Sequence, residues 1–310
     1  MQALLRERRF RAMGCECQVL SLGGTEESLE AAVARVRALE ACWTRFDDDS
    51  ELSRFNRSVG HFSAVSNDLM VLLSRSLEGY RLSSGLFDPF LGDRMVSTGY
   101  DRDFELLAAS PVPQPSQAAA PQPAHATHQP VTLTGLLLDQ SRGQACLSPG
   151  LVVDSGGIGK GLGAEMTVQW MLAAGFTGAM VSLGGDVAVG GDHPDEGWRI
   201  GVADPFGRPD ADLIVALRSG ALCSSGTLQR RWTRDDGTVA HHILDPATGE
   251  PLVDSAIVAA SAIAPHGWLA EVLTKEAIVG GMAAAQRIVE RHPDCALVLW
   301  GADGEMTQRP

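Results

Sequence analysis

The chain has 310 residues, of which 45% are hydrophobic and 20% charged, an ordinary balance for a globular protein of one large or two ordinary domains. Its net charge of −13 argues against general nucleic-acid binding and against attraction to anionic membranes, so an anionic ligand would need locally placed donors. No run approaches the roughly 18 apolar residues of a membrane span, and Met1–Met13 interleaves Arg6, Arg8, Arg9 and Arg11 with single apolar residues, so no signal peptide is read.

In chain order, alternation over residues 14–22 predicts a strand. Glu26–Trp43 carries Leu29, Ala32, Val33, Val36 and Leu39 at helical spacing, and Asn67–Leu82 does the same with Leu69, Leu72, Leu73, Leu77 and Tyr80. Between Ala108 and Pro130 the sequence turns to Ala, Pro, Gln and His without periodicity, which reads as a mobile insertion. It separates an N-terminal part, 1–107, from a C-terminal part, 131–310. Further strands are predicted at Ala179–Leu183, Trp198–Val202, Leu213–Leu217, Ile257–Ala262 and Ala296–Trp300, and helices at Leu162–Leu172, Trp268–Gly280 and Ala284–Arg291. Adjacent strands mixed with helices point to an α+β or mixed α/β fold, not a pure parallel sheet. The six scattered cysteines lack zinc spacing and read as free thiols of a reducing cytoplasm.

Asp154-Ser-Gly-Gly-Ile-Gly-Lys-Gly161 is the most informative segment. It follows the apolar run Leu151–Val153 and precedes a predicted helix, so its glycines, its helix start and Lys160 could together receive a phosphate. It is not a Walker loop, because Gly161 stands where Ser or Thr is required and Asp154 where the first glycine belongs. It is not a dinucleotide fingerprint either, because Leu162 and Ala164 occupy the third glycine's places. A tight turn with a surface lysine remains the alternative.

Four other segments carry candidate chemistry. Phe87-Asp88-Pro89 suits a turn, Ser182–Asp186 leaves a strand through paired glycines, and Cys223–Thr227 presents hydroxyls on either a ligand loop or a plain turn. No G-x-S-x-G elbow surrounds these serines. His241-His242 runs into Asp245-Pro-Ala-Thr-Gly249, a stiff turn that would fix a proton-transferring imidazole in place.

In this order, Asp154–Gly161, Ser182–Asp186, Ser224–Gly226 and His242–Gly249, with weaker pieces at Asp49–Asn56 and Phe87–Asp101, resemble the ApbE family of FAD:protein FMN transferases. The resemblance runs from Met13 to about residue 281. It implies a T-fold-like arrangement of mixed sheet and helices. It also implies FAD as substrate, Mg²⁺ at the pyrophosphate, and transfer of FMN to a threonine of an acceptor flavoprotein carrying a Ser/Thr-Gly-Ala-Ser/Thr-like motif, with AMP released. FAD hydrolysis or FAD binding without transfer is the alternative outcome. By the same resemblance, Met13, Asn56, Asp88, Gly156, Gly157, Lys160, Ser182, Ser224, Ser225 and His242 would bind the flavin nucleotide, with Lys160 and His242 catalytic.

The family's metal position would comprise the Gly159 carbonyl and two helix residues four apart. Here these are Glu271, one methylene longer than the family's Asp, and Lys275, which cannot ligate while protonated. Either Lys275 pairs with Glu271 and supplies an ammonium in place of the metal charge, so that FAD binds without added Mg²⁺, or the helix is shifted, Lys275 faces solvent, and the site binds metal weakly through Glu271 and water. Slower transfer with flavin binding retained is the expectation.

Overall fold

The computed structural model describes residues 4–102, 104, 107, 135–208, 211–234 and 237–309. The expected insertion at 108–130 lies outside them. Among the described residues the centre is an eight-stranded sheet in the order β1 (Leu5–Ala12), β2 (Cys15–Leu22), β6 (Gly178–Leu183), β7 (Asp186–Gly191), β10 (Gly220–Gly226), β13 (Ile257–Ala264), β14 (Ala296–Gly301) and β15 (Met306–Arg309). Every neighbouring pair runs antiparallel. The fold is α+β.

Helices cover one face of the sheet. They are α1 (Glu26–Trp43), α2 (Glu51–Arg57), α3 (Asn67–Leu82), α4 (Gly92–Ser97), α5 (Gly159–Ala173) and α6 (Gly267–Arg291). Their inward residues, among them Leu29, Leu39, Leu72, Val168, Val272 and Leu273, join Val19, Val181 and Ala262 of the sheet in one core. The opposite face is capped by the hairpin of β8 (Trp198–Val202) and β9 (Leu213–Leu217), where Trp198 and Ile200 pack on Met180, Val187, Val189 and Leu222. A small sheet of β3 (Ser63–Ala64), β4 (Leu136–Asp139) and β5 (Gln144–Leu147), and the pair β11 (Arg231–Thr233) and β12 (Val239–His241), complete it.

Most sequence expectations map directly onto these elements. The two helices predicted over 268–291 are one run broken at Gly281, whose φ of 65° and ψ of −162° lie outside the helical region. Residues 5–12 form a strand that apolar alternation did not reveal. Its exposed arginines are held by Glu26 and Glu30 of α1, and by Glu7 and Glu16, so charge stands where an edge strand would otherwise be bare. The strand closes onto β2 through Met13 and Gly14, with φ of 53° and 62°, a two-residue hairpin turn. A methionine in the left-handed region is uncommon. Here the conformation carries the Met13 side chain into the cleft described below.

The starts of α5 and α6 meet backbone to backbone. A Cβ placed at Gly161 would run into the Gly267 carbonyl, and one at Gly267 into the Gly161 carbonyl. Glu165 of α5 accepts the Gly267 amide at 2.9 Å, and Glu271 of α6 accepts the Gly161 amide at 2.8 Å. Gly161→Ala therefore forces two helices apart with no flexible side chain to yield. A loss of about 1–3 kcal/mol or more, seen as a lower denaturation midpoint, is the expected result.

Candidate functional site: a cationic cleft beside the glycine loop

The glycine loop is tied down from three sides. Asn56 clamps Val153, its side-chain amide donating to the carbonyl at 2.8 Å and its oxygen accepting the amide at 2.9 Å. Ser155 donates to the Trp43 carbonyl at the end of α1. Asp154 accepts the Gly156 amide through Oδ1 and pairs through Oδ2 with Arg45 at 3.1 Å. Gly157 leaves room for the Phe87 ring, which an added Cβ would meet at 3.0 Å. Part of the loop's glycine content thus serves close packing.

Beside this loop opens a cleft lined among others by Met13, Asp88, Gly156, Gly157, Gly159, Lys160, His242 and Lys275. All eight were singled out from the sequence. Asp88 also accepts the Phe90 amide at 2.8 Å, so it makes a turn while facing the cleft. Asn56, Ser182, Ser224, Ser225 and Glu271 are not among the lining residues. Asn56 acts on the loop from behind. Ser182 shares its strand face with Met180, on the side capped by β8 and β9. Ser224 and Ser225 sit inside strand β10 and not in a turn: Ser224 Oγ bonds Ser261 Oγ at 2.7 Å, and Ser225 Oγ bonds Thr274 Oγ1 at 2.8 Å.

Three cations and two buried carboxylates organise the floor. The Lys160 ammonium is paired with Asp186 and lies 3.9 Å from Glu271. Asp186 is held in turn by the Ser224 amide at 3.0 Å. Burial works against a charge on Lys160, but Asp186 and Glu271 outweigh it and hold its pKa above the ordinary lysine value. Lys275 pairs with Glu271 at 3.1 Å. Arg230, in the left-handed region at φ 49°, is the third cation on the cleft wall.

His242 faces these cations. Burial drives its pKa well below 6.5, and the positive charges of Arg230, Lys275 and Lys160 push the same way. Its Nδ1 is buried without a hydrogen-bond partner. A neutral imidazole in a cationic cleft can take a proton; an imidazolium cannot.

Part of the cleft lining, Phe46, Tyr100 and Phe104, is aromatic. Tyr100 stacks obliquely with Phe46 at 5.8 Å and with Trp232 at 5.3 Å, and the Arg45 guanidinium lies 4.2 Å above Phe46 and 4.7 Å above Tyr100. Flat apolar walls beside a charged floor suit an elongated ligand with a planar ring and phosphates. Arg45, Phe46 and Arg230 gave no sequence signal, because each reaches the cleft only through tertiary packing.

The family model described as "ApbE family" matches residues 13–299. This chain belongs to the ApbE family. Among its relatives is the FAD:protein FMN transferase of Treponema pallidum, 29% identical over 280 residues that cover 86% of this chain and 75% of that protein. The FAD:protein FMN transferase of Klebsiella pneumoniae is 28% identical over 309 residues, 95% of this chain and 84% of that one. The fold matches that of the ApbE protein of Thermotoga maritima with a TM-score of 0.81 at 24% identity, covering 98% and 97% of the two chains. No helix among the described residues is long and apolar enough to cross a membrane.

Magnesium chemistry fits this ApbE cleft poorly. Both Glu271 oxygens already accept donors, Oε2 from the Gly161 amide and Oε1 from Lys275. Gly159 is the first residue of α5, so its carbonyl sits in the hydrogen-bond ladder of the first turn. Lys275 brings three donors and no lone pair. Among the described residues, the one grouping of three metal-ligating side chains is His292, Asp294 and Cys295, beyond the far end of α6. Of the two sequence readings of Lys275, the buried pair with Glu271 is the one observed.

Proposed function

We infer that this protein transfers FMN from FAD to a hydroxyl of an acceptor protein. The single observation that carries the reading is the meeting, in one cleft, of a half-buried His242, whose pKa is held well below 6.5, with Lys160, Arg230 and Lys275. Membership of a family whose relatives are named FAD:protein FMN transferases supports it. In this reading the cations receive the pyrophosphate and the aromatic lining receives a ring of the dinucleotide. The acceptor is a threonine in a Ser/Thr-Gly-Ala-Ser/Thr-like segment. Its oxygen forms a bond to the FMN-side phosphorus, the bond from that phosphorus to the bridging oxygen breaks, and AMP leaves with that oxygen. The hydroxyl proton passes to His242. Phosphoryl transfer requires mainly positioning and neutralised charge, and this floor supplies both.

The test is incubation of purified protein with FAD and an acceptor bearing the motif. Covalent flavin fluorescence on the acceptor, with one AMP per flavin, is the expected result. AMP without labelled acceptor would mean hydrolysis, and bound FAD without AMP would mean storage.

A pH profile follows from His242. Its proton-accepting form is lost only as pH falls through a pKa that lies well below 6.5. Turnover is therefore expected to stay flat through neutrality, with the acid limb displaced below the usual histidine range. Initial rates of acceptor labelling against pH measure this, and an acid limb centred at or above 6.5 would contradict it.

A further inference from the structure

We propose that Lys275 is the resident cation of the cleft, so that FAD is bound and its pyrophosphate contacted by protein cations without a divalent metal. The proposal rests on the FAD reading above. Lys275 is buried, 9% exposed, yet its side chain lines the cleft one helical turn beyond Glu271. One of its three ammonium protons is directed to Glu271 at 3.1 Å, which leaves donors for a phosphate oxygen.

The surroundings favour an ammonium over a metal ion. Both Glu271 oxygens are engaged, one by the Gly161 amide and one by Lys275, with Lys160 3.9 Å away. Asp186, the other buried carboxylate, is engaged by Lys160 and the Ser224 amide. Lys160, Lys275 and Arg230 already exceed Asp186 and Glu271 by one positive charge. A divalent ion at Glu271 would stand against the Lys275 ammonium, and like charges in a partly buried site repel strongly. A dianionic pyrophosphate would meet three cationic side chains, whose surplus offsets part of its charge. An ammonium supplies charge but no template for in-line attack, so transfer is expected to be slower than metal-assisted transfer.

The experiment measures FAD affinity by flavin fluorescence and AMP release by chromatography, each in chelator and in excess Mg²⁺. For the wild-type protein, affinity and AMP release unchanged within about twofold are expected. Lys275→Met should weaken FAD binding by about tenfold or more, the worth of one charge-assisted hydrogen bond, and Mg²⁺ should not restore it. Glu271→Gln with Lys275→Met removes the ion pair while keeping an acceptor for the Gly161 amide, so the same loss in that variant excludes misfolding as its cause. Glu271→Asp with Lys275→Thr should make AMP release Mg²⁺-dependent and bind Mn²⁺, seen by electron paramagnetic resonance, whereas the wild-type protein takes up no Mn²⁺ in the cleft. FAD binding or AMP release lost in chelator and regained with Mg²⁺ in the wild type would overturn the proposal and leave the transferase reading standing. Unchanged FAD affinity in Lys275→Met would overturn it too. Failure of the wild type to bind FAD in either condition would remove both.

Discussion

Replacing His242 with alanine is expected to lower the rate of FMN transfer by about 10²–10⁴-fold, the usual contribution of a positioned general base. The expectation follows from where burial and charge place this imidazole. A histidine whose pKa sits well below 6.5 is neutral at pH 7, and it faces Lys160, Arg230 and Lys275, which raise the cost of protonating it in the resting protein. An anionic pyrophosphate bound among those cations offsets that cost as the reaction begins, so the proton can arrive when the hydroxyl attacks. The defect should therefore fall on kcat, with KM for FAD changed little. The acid limb of the pH profile should disappear in the same variant. A proportionate rise in KM with kcat preserved would instead make His242 a binding residue, and the proton would need another acceptor.

The legibility of this protein in its sequence was uneven for physical reasons. The helices α1 and α3 bury one stripe each, so the spacing of Leu29, Ala32, Val33 and Val36 was enough to find the first of them. Strand β1 hid because both of its faces carry arginines, Arg8 answered by Glu26 and Glu30 of α1 and the outward Arg9 and Arg11 by Glu7 and Glu16, pairings that no apolar alternation announces. Strand β10 hid because Ser224 and Ser225 look like a loop until Ser261 and Thr274 receive their hydroxyls. The glycine loop was legible as a special backbone, yet Gly161 is required by the Gly267 backbone of another helix and not by a ligand. Resemblance to a family brought out the order of the motifs, and it also located the departure at Lys275. Arg45 and Arg230 entered only with the three-dimensional structure. Their positions depend on an aromatic stack and a left-handed backbone that no local pattern announces.

Glu271→Ala is expected to cost about 3–5 kcal/mol of folding stability, the range for removing one partner of a buried ion pair. Two groups lose their acceptor and a third loses a counter-charge. Lys275 is left buried with an uncompensated charge, the Gly161 amide loses its bond at the contact of α5 with α6, and Lys160 keeps only Asp186. Denaturant unfolding followed by circular dichroism measures the loss. The variant Glu271→Gln with Lys275→Met should recover most of it. Glutamine still accepts from Gly161, and an apolar chain of similar length needs no counter-charge, since replacing a whole buried pair is often neutral. Evolution of a maximally stable helix contact would therefore favour the uncharged pair. That the chain carries Glu271 and Lys275 instead, in a pair that lines a cleft with Lys160 and Arg230, argues that the charge serves the ligand and not the fold. A double variant as unstable as Glu271→Ala would sink that argument, because the ion pair itself would then be what holds α5 against α6.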